Sequence, residues 1–436
     1  MKKSGVEWIG EIPEDWEVTP LKKLFSFGKG LPITKENLVE KGLPVISYGQ
    51  IHSKSNTGTK LQSELLRYVS NSYLDSNPNS LVHSGDFIFA DTSEDLEGCG
   101  NCCYIDKEIK LFAGYHTVIL QSKISKDNKY LAYLFKTDEW RKQLREKLVE
   151  VKLYSITQKA LKSTSVILPP KPTQQRIASY LDKKCNKIEE TIQNQQQVIE
   201  KLKAYKQSLI TEAVTGKIKI QNGKVCGKYE SYKDSGVEWI GKIPTEWEVG
   251  KFGRFAQVKS NLVDPNLYLE YPQIAPDNIG KGSGKLIDWQ TVKDSGVISW
   301  NHLFFKGQIV YSKIRPTLNK LIIAPFDGLC SADMYPIETN IHKQFFVYMM
   351  LSQYFVEQVG LITRDRVKMP KINQNELSGI LITVPTKEEQ KEISDYLDKK
   401  CTAIDTAIEQ KQKLIEKLTE YKKSLVYECV TGKKEI

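Results

Sequence analysis

No stretch of 18 apolar residues occurs anywhere in this chain of 436 residues. The opening Met1-Lys-Lys-Ser-Gly-Val-Glu-Trp also lacks an apolar secretion signal. The first absence argues against a helical membrane span and the second against export, so the cytosol is the expected compartment. Cysteine is sparse, at eight residues, and free thiols are expected there. Cys99-Gly-Asn-Cys102-Cys103 contains one C-x-x-C, but neither a second pair nor an H-x₃₋₅-H supplies the remaining ligands of a closed zinc site. His83 and His116 are the nearest candidates to complete one, and no metal is expected. Catalytic signatures are missing as well. No Walker loop is present. Gly98-Cys-Gly100 lacks the strand–helix setting of a cofactor loop, and Pro169-Pro170 follows leucine where an amino-methyltransferase needs Asn or Asp. Asp91 with Glu108-Ile-Lys110 could imitate a paired-carboxylate nuclease, but such a triplet recurs by chance. The expectation is a chain without cofactor and without catalysis of its own.

What is present begins with charge. A formal net charge of +10 favours a polyanionic partner, while 40% hydrophobic residues permit real cores. The length suits two or three domains. More informative is a double repeat. Lys2 to Val18 returns as Lys233 to Val249 with 13 of 17 positions identical, and Gln174 to Lys217 returns as Gln390 to Lys433 with 24 of 44 identical. The stretches between, roughly 21–170 and 251–385, are hard to align. A duplicated frame around two divergent inserts implies a pseudo-two-fold scaffold carrying two different reading heads.

The second block reads as one long helix in each copy. Leu181, Cys185, Ile188, Ile192, Gln195, Ile199, Leu202, Lys206, Leu209 and Ala213 follow alternating steps of four and three. Leu397, Cys401, Ile404, Ile408, Lys411, Ile415, Leu418, Lys422, Leu425 and Cys429 repeat the pattern. This is a heptad seam, with Cys185 and Cys401 as small hydrophobes and the polar members setting register. Pro172 and Pro385 mark the starts, Thr386 with Glu389 forms a capping box, and Gly216 and Gly432 mark the stops. About 40 residues correspond to roughly 60 Å of helix. If each insert has neighbouring ends, helix two starts where helix one stops, and the pair is an antiparallel coiled coil. Block 2–18 should then lie near the end of helix two. The expected architecture is α+β: 1–170 as repeat block and first recognition domain, 171–217 as first spacer helix, 218–385 as linker, repeat block and second recognition domain, and 386–436 as second spacer helix. The segment from Ile218 to Tyr232 reads as a short polar linker.

In the inserts, apolar runs at 43–48, 85–90, 307–312 and 321–324 read as strands, and 127–149 and 341–359 as helices. The runs ending at Ala90 and Ser312 look equivalent, yet their sequels differ. Lys313, Arg315, Thr317, Asn319 and Lys320 mix bases and amides suited to phosphate clamping and base-edge hydrogen bonding. The first insert has Asp91-Thr92-Ser93-Glu94-Asp95, either acceptors for cytosine amino groups or a solvated turn. Tyr48, Gln50, His52, Lys54 and Asn56 on a polar loop after the first strand, and Arg364, Arg366 and Lys368 before the second helix, complete the candidate DNA-binding set.

Several of these segments resemble the specificity subunit of type I restriction–modification systems. They are Ser4 to Gly10 and Ser235 to Gly241, the Ile-Pro-x-x-Trp-Glu-Val that follows each, Leu168-Pro-Pro170 or Val384-Pro385 leading into a Gln-rich start and Tyr-Leu-Asp, and Gly307-Gln-Ile-Val-Tyr-Ser-Lys-Ile-Arg-Pro316. The resemblance covers the whole chain in the family's order. It implies two target recognition domains, each reading half of a split double-stranded DNA site. It further implies a helix pair that spaces the halves and docks two methyltransferase subunits, to which two restriction (motor–nuclease) subunits add. The acidic loop at 91–95 departs from the basic segment at 313–320. The rival class is a coiled-coil adaptor that binds only protein.

Overall fold

The computed structural model describes all residues except 7–8, 124–126, 149–152, 239 and 367. Trp8 and Trp239 of the repeated motif, and the end of the expected helix at 149, thus lie outside the described residues. Contacts group the chain into two compact units, Met1–Asn194 with Lys413–Ile436, and Gln195–Gln412.

Inserts that resist alignment fold alike. In the first unit an antiparallel sheet runs Cys102–Tyr104, Phe87–Ala90, Thr117–Ser122, Phe25–Lys29; in the second it runs Leu321–Ile323, Ile309–Ser312, Met334–Thr339, Ala256–Val258. A second sheet orders Arg67–Val69, Leu43–Ile46, Leu111–Ala113 and Leu81–Val82, its central pair parallel. Its counterpart orders Gln290–Thr291, Pro272–Ile274, Gly328–Cys330 and Asn301–Phe304, again with a parallel central pair, and adds Leu262–Val263 at the edge. The unbroken apolar runs have a physical cause. Phe87 and Phe89 enter one core while Ile88 and Ala90 enter another, and Ile309 and Tyr311 alternate with Val310 in the same way. A strand covered on both faces has no polar side to show.

The helices span Lys171–Val214 and Lys387–Val430, 44 residues each. The first begins one residue before Pro172, which its first turn tolerates because the missing N–H has no intrahelical acceptor there. The second starts on the expected box, with Glu389 N–H bonded to Thr386 Oγ1 and Thr386 N–H to the Glu389 carboxylate. Within the first unit Leu181, Ile188 and Leu425 are buried, with Ile192 and Leu418 partly so. Within the second, Leu209, Leu397 and Ile404 are buried, with Leu202 and Ile408 packed against them. Ile199 is buried and Ile415 half-buried.

In the second unit Lys206 meets Asp405 at 2.7 Å, and Lys411 donates to Gln195 at 3.0 Å. Residue numbers that rise along one helix therefore fall along the other, so the pairing is antiparallel. Lys422 with Glu189 repeats the Lys206–Asp405 bridge in the first unit. The heptad pattern located the lysines; their carboxylate partners, off the apolar stripe, were not legible from it. Burial alone would raise the Asp405 carboxyl, but hydrogen bonds and attraction from Lys206 and Lys285 outweigh it and hold the group below its ordinary range.

Each helix stops on the repeated block. Gly216 and Gly432 take left-handed φ of 69° and 72°. A Cβ at Gly216 would lie 2.3 Å from Pro244 Cδ, and one at Gly432 would lie 2.5 Å from Pro13 Cδ, with Trp247 and Trp16 beyond. The N-terminal block thus meets the end of helix two. The segment after helix one is no plain linker: Lys219–Gln221 and Lys224–Gly227 form a hairpin with Ile220 buried. Asn222-Gly223 supplies its turn through two positive φ values. The expected helix at 341–359 is two, Lys343–Leu351 and Gln353–Thr363, apolar because the second unit's core takes most of their side chains. No single helix among the described residues is long and apolar enough to cross a membrane.

Gly432→Ala is expected to lower unfolding free energy by at least about 1–2 kcal/mol, the left-handed penalty, with the Pro13 clash adding to it. Urea unfolding that matches the parent would refute the account. Asp405→Asn should lose about 1 kcal/mol at neutral pH, a partly screened pair. Because the folded carboxyl titrates below its unfolded counterpart, the difference from the parent should shrink as pH falls below about 4. A pH-independent difference would rule out the charge as its origin.

Candidate nucleic-acid interface

Both inserts place a loop after the same strand. Asp91 N–H bonds to the His116 carbonyl and Lys313 N–H to the Asp333 carbonyl; Ile156 and Ile372 N–H then bond to the Asp91 and Lys313 carbonyls. The loops that follow occupy one station in the fold and carry opposite charge.

In the second unit, Lys313 lies over the Tyr335 ring at 5.2 Å. Arg315 is exposed with φ 42° directly before Pro316, a left-handed conformation disfavoured for such a residue. The surroundings impose it: Arg315 N–H bonds to the Pro370 carbonyl, and Ile314 bridges Lys371. Those backbone bonds bring Lys313, Arg315 and Thr317 beside the segment carrying Arg364 and Lys368, all but Lys313 exposed. Strain held in place by neighbouring structure is a mark of functional loops. Other members of the sequence set are engaged in the fold. Asn319 is buried, itself left-handed at φ 48°, and donates to the Met350 carbonyl. Lys320 donates to the Pro276 carbonyl and pairs with Asp277. Arg366 is clamped by Glu376 and the Lys371 carbonyl, whereas Arg364 stays exposed, 3.8 Å from its chain neighbour Asp365.

In the first unit a cleft of about 770 Å³ opens at this station. Thr92, Glu94, Asp95, His52, Asn101 and His116 line it, together with Tyr48 and Arg141. His52 is fixed between the Thr92 carbonyl and the Asn101 amide, and His116 faces Asp91 at 3.3 Å. Tyr48 stacks edge-on with Tyr115 and His116. The acidic stretch is a built wall: Asp95 accepts from Gly98 N–H, and Ser93 is buried against Asp95. Tyr48 and Gln50 stand in a helical turn, Tyr48–Ile51, and Gln50 accepts from Ser47 N–H. Asn56 is a fold residue that ties Ile51, Gly58 and Cys102 together, whereas Lys54 is exposed. Asn101 and Arg141 were not singled out from sequence, and His116 only as a zinc candidate; no local pattern says that these three turn toward the same loop. Cys99 and Cys102 pack in one core and Cys103 in another, and burial pushes the Cys102 thiol up to about 12.

Arg315→Ala is expected to leave the thermal midpoint close to the parent's, since its exposed side chain makes no hydrogen bond or ion pair among the described residues. Asn319→Ala should lower stability by about 1–3 kcal/mol, from the left-handed backbone and a buried carbonyl left unpaired. The reverse order in calorimetry would invert the assignment of these two neighbours.

The family model described as "Type I restriction modification DNA specificity domain" matches residues 13–201 and 244–419. Over 278 residues the chain is 34% identical to the type I restriction enzyme EcoDI specificity subunit of Escherichia coli, covering 62% of this chain and 62% of that relative, less than two thirds of its length. It is 27% identical over 436 residues to the putative type I restriction enzyme MjaX specificity subunit of Methanocaldococcus jannaschii, covering 98% and 95%. Among solved structures, a chain from work on assembly and conformational transition of the type I R-M system superposes with TM-score 0.70 at 13% identity, covering 96% of this chain and 98% of that one. The HsdS subunit of Thermoanaerobacter tengcongensis gives 0.50 at 14% identity, covering 97% and 98%. At such identities these two likenesses concern the fold.

Proposed function

From the premise that this chain belongs to the type I restriction–modification DNA specificity family, we propose that it is the non-catalytic, sequence-reading subunit of a cytoplasmic methyltransferase–endonuclease complex. Each recognition module, within 1–170 and 218–385, reads one half of a bipartite asymmetric site on double-stranded DNA. The spacer helices, within 171–217 and 386–436, set the distance between halves and dock two methyltransferase subunits, with two restriction subunits joining them.

One observation carries the reading: two modules share a topology and differ in chemistry at the same loop. The second module would use Lys313, Arg315, Thr317, Arg364 and Lys368 on phosphates and guanine edges, since cations and bidentate guanidinium suit both. The first would use Tyr48, Gln50, Lys54, Thr92 and the cleft carboxylates, which suit exocyclic amino donors. Asn56, Ser93, Asn319 and Lys320 support the loops from inside, and Arg366 ties its segment to Glu376 at the surface. The protein-only adaptor has no observation in its favour.

Arg315→Ala should weaken binding by about 1–3 kcal/mol if the side chain grips a guanine, read by anisotropy at fixed salt; parent-like affinity would remove it from the interface. Replacing residues 251–385 by another module of the family should change one half of the site, read by mapping methylated adenines in cells that also hold the methyltransferase. Changes in both halves would break the two-head assignment.

A further inference from the structure

The two units match closely around the base of the helix pair, and one position breaks the match. Tyr133 donates to Asp182 as Tyr348 does to Asp398, and Lys422 pairs with Glu189 as Lys206 does with Asp405. Thr137 and Ser352 both precede a helix, Asp138–Arg145 and Gln353–Thr363. Counting from these anchors, Lys136 stands where the second unit has Leu351. The second unit is closed here: Gln207 donates to the Leu351 carbonyl, and Thr211 Oγ1 accepts from Gln353 N–H. The first unit has Lys423 and Tyr427 in place of Gln207 and Thr211, and a cleft of about 450 Å³ instead of a seal.

Charge there does not balance. Lys129 pairs with Asp182 at 3.2 Å and Lys422 with Glu189, so both carboxylates are taken. Lys136 stands among them with Lys60, mostly shielded from water, and its ammonium meets no hydrogen-bond or ion-pair partner among the described residues. Burial pulls its pKa down to about 8, with Lys422 pushing the same way and Glu189 against. An uncompensated ammonium is costly in such a place. Lys136, Lys422 and Lys423 bring ammonium donors to the cleft; Thr137, Thr419 and Ser424 also line it, but their hydroxyls donate to the Leu134 carbonyl, the Ile415 carbonyl and Glu428. Val426, Tyr133 and Tyr427 give it apolar wall. Asp138 and Glu139 also line it, the former held by Arg145 at 3.2 Å. The volume fits a small molecule better than a polypeptide segment.

We propose that this cleft of the first unit binds a small organic anion, a carboxylate or phosphate monoester on a short apolar body, with Lys136 as counter-ion. The site is independent of the DNA-reading loops. Its presence in one unit only makes the two ends of the repeat chemically distinguishable.

The test is titration calorimetry on the full chain at constant ionic strength, with phenyl phosphate and benzoate as probes and benzyl alcohol as the neutral control. Saturable binding of at least one anion, weakened ten-fold or more in Lys136→Leu and in Lys136→Gln, supports the site; the stronger of the two probes identifies the head group. Leucine is the residue of the folded counterpart, and circular dichroism checks that both variants retain the parent's helix content. Equal binding by the variants, equal binding of benzyl alcohol, or no saturable heat with either anion overturns the proposal. The last result together with a methyltransferase subunit that protects Lys136 from acylation would assign the cleft to an acidic side chain of that partner instead.

Discussion

A heptad seam interrupted by lysine can be buried only against a helix that brings acceptors to the right height. That requirement underlies the rest of the molecule. In each unit it is met by the antiparallel partner, through Lys206 with Asp405 and Lys422 with Glu189. An exposed pair of this kind is worth little, but breaking a largely shielded one leaves a stranded charge. The bridges therefore select register more than they add stability. The apolar members supply stability, at about 1.5–3 kcal/mol for each fully buried leucine or isoleucine. The ends are fixed by a different device: a left-handed glycine so close to a proline that no side chain fits, with a tryptophan behind it. Register and ends being set, each unit offers its strands the same frame.

On that frame sequence can drift without loss of topology. A central strand with both faces covered needs only apolar residues, so Phe-Ile-Phe-Ala and Ile-Val-Tyr-Ser serve equally. The loop beyond the strand is held by backbone hydrogen bonds, which do not depend on side-chain identity. It is free to carry Asp and Glu in one copy and Lys and Arg in the other. Conserved anchoring and variable chemistry on the same loop are what a pair of recognition modules requires.

Much of this was legible in the chain itself. The heptads, the capping box, the glycine stops and the meeting of block 2–18 with the end of helix two follow from periodicity and repetition, which are local or internal signals. The candidate site was legible only in part. Arg315 and Thr317 were visible as polar residues on a loop, but so were Asn319 and Lys320, whose side chains turn inward to a carbonyl of a distant helix and of a distant turn. Nothing in the run from Lys313 to Lys320 says which side faces the core when two of its residues are left-handed. The first-unit cleft was harder still, because Asn101, His116 and Arg141 reach it from three separate segments. The hairpin at 219–227 was missed for another reason: its strands are short and mostly exposed, and Ile220 and Val225 set among lysines did not stand out from a linker.

The first unit takes its core from two stretches far apart in sequence: Leu425, Val426, Cys429 and Val430 pack with residues that precede the second unit. The second unit is one continuous stretch. During synthesis the module begun first is therefore completed second: Gln195–Gln412 can close once its own residues have emerged, whereas the first keeps an apolar face uncovered until Leu425 to Val430 follow. A stop placed between Lys413 and Leu425 would leave the later module whole and the earlier one open.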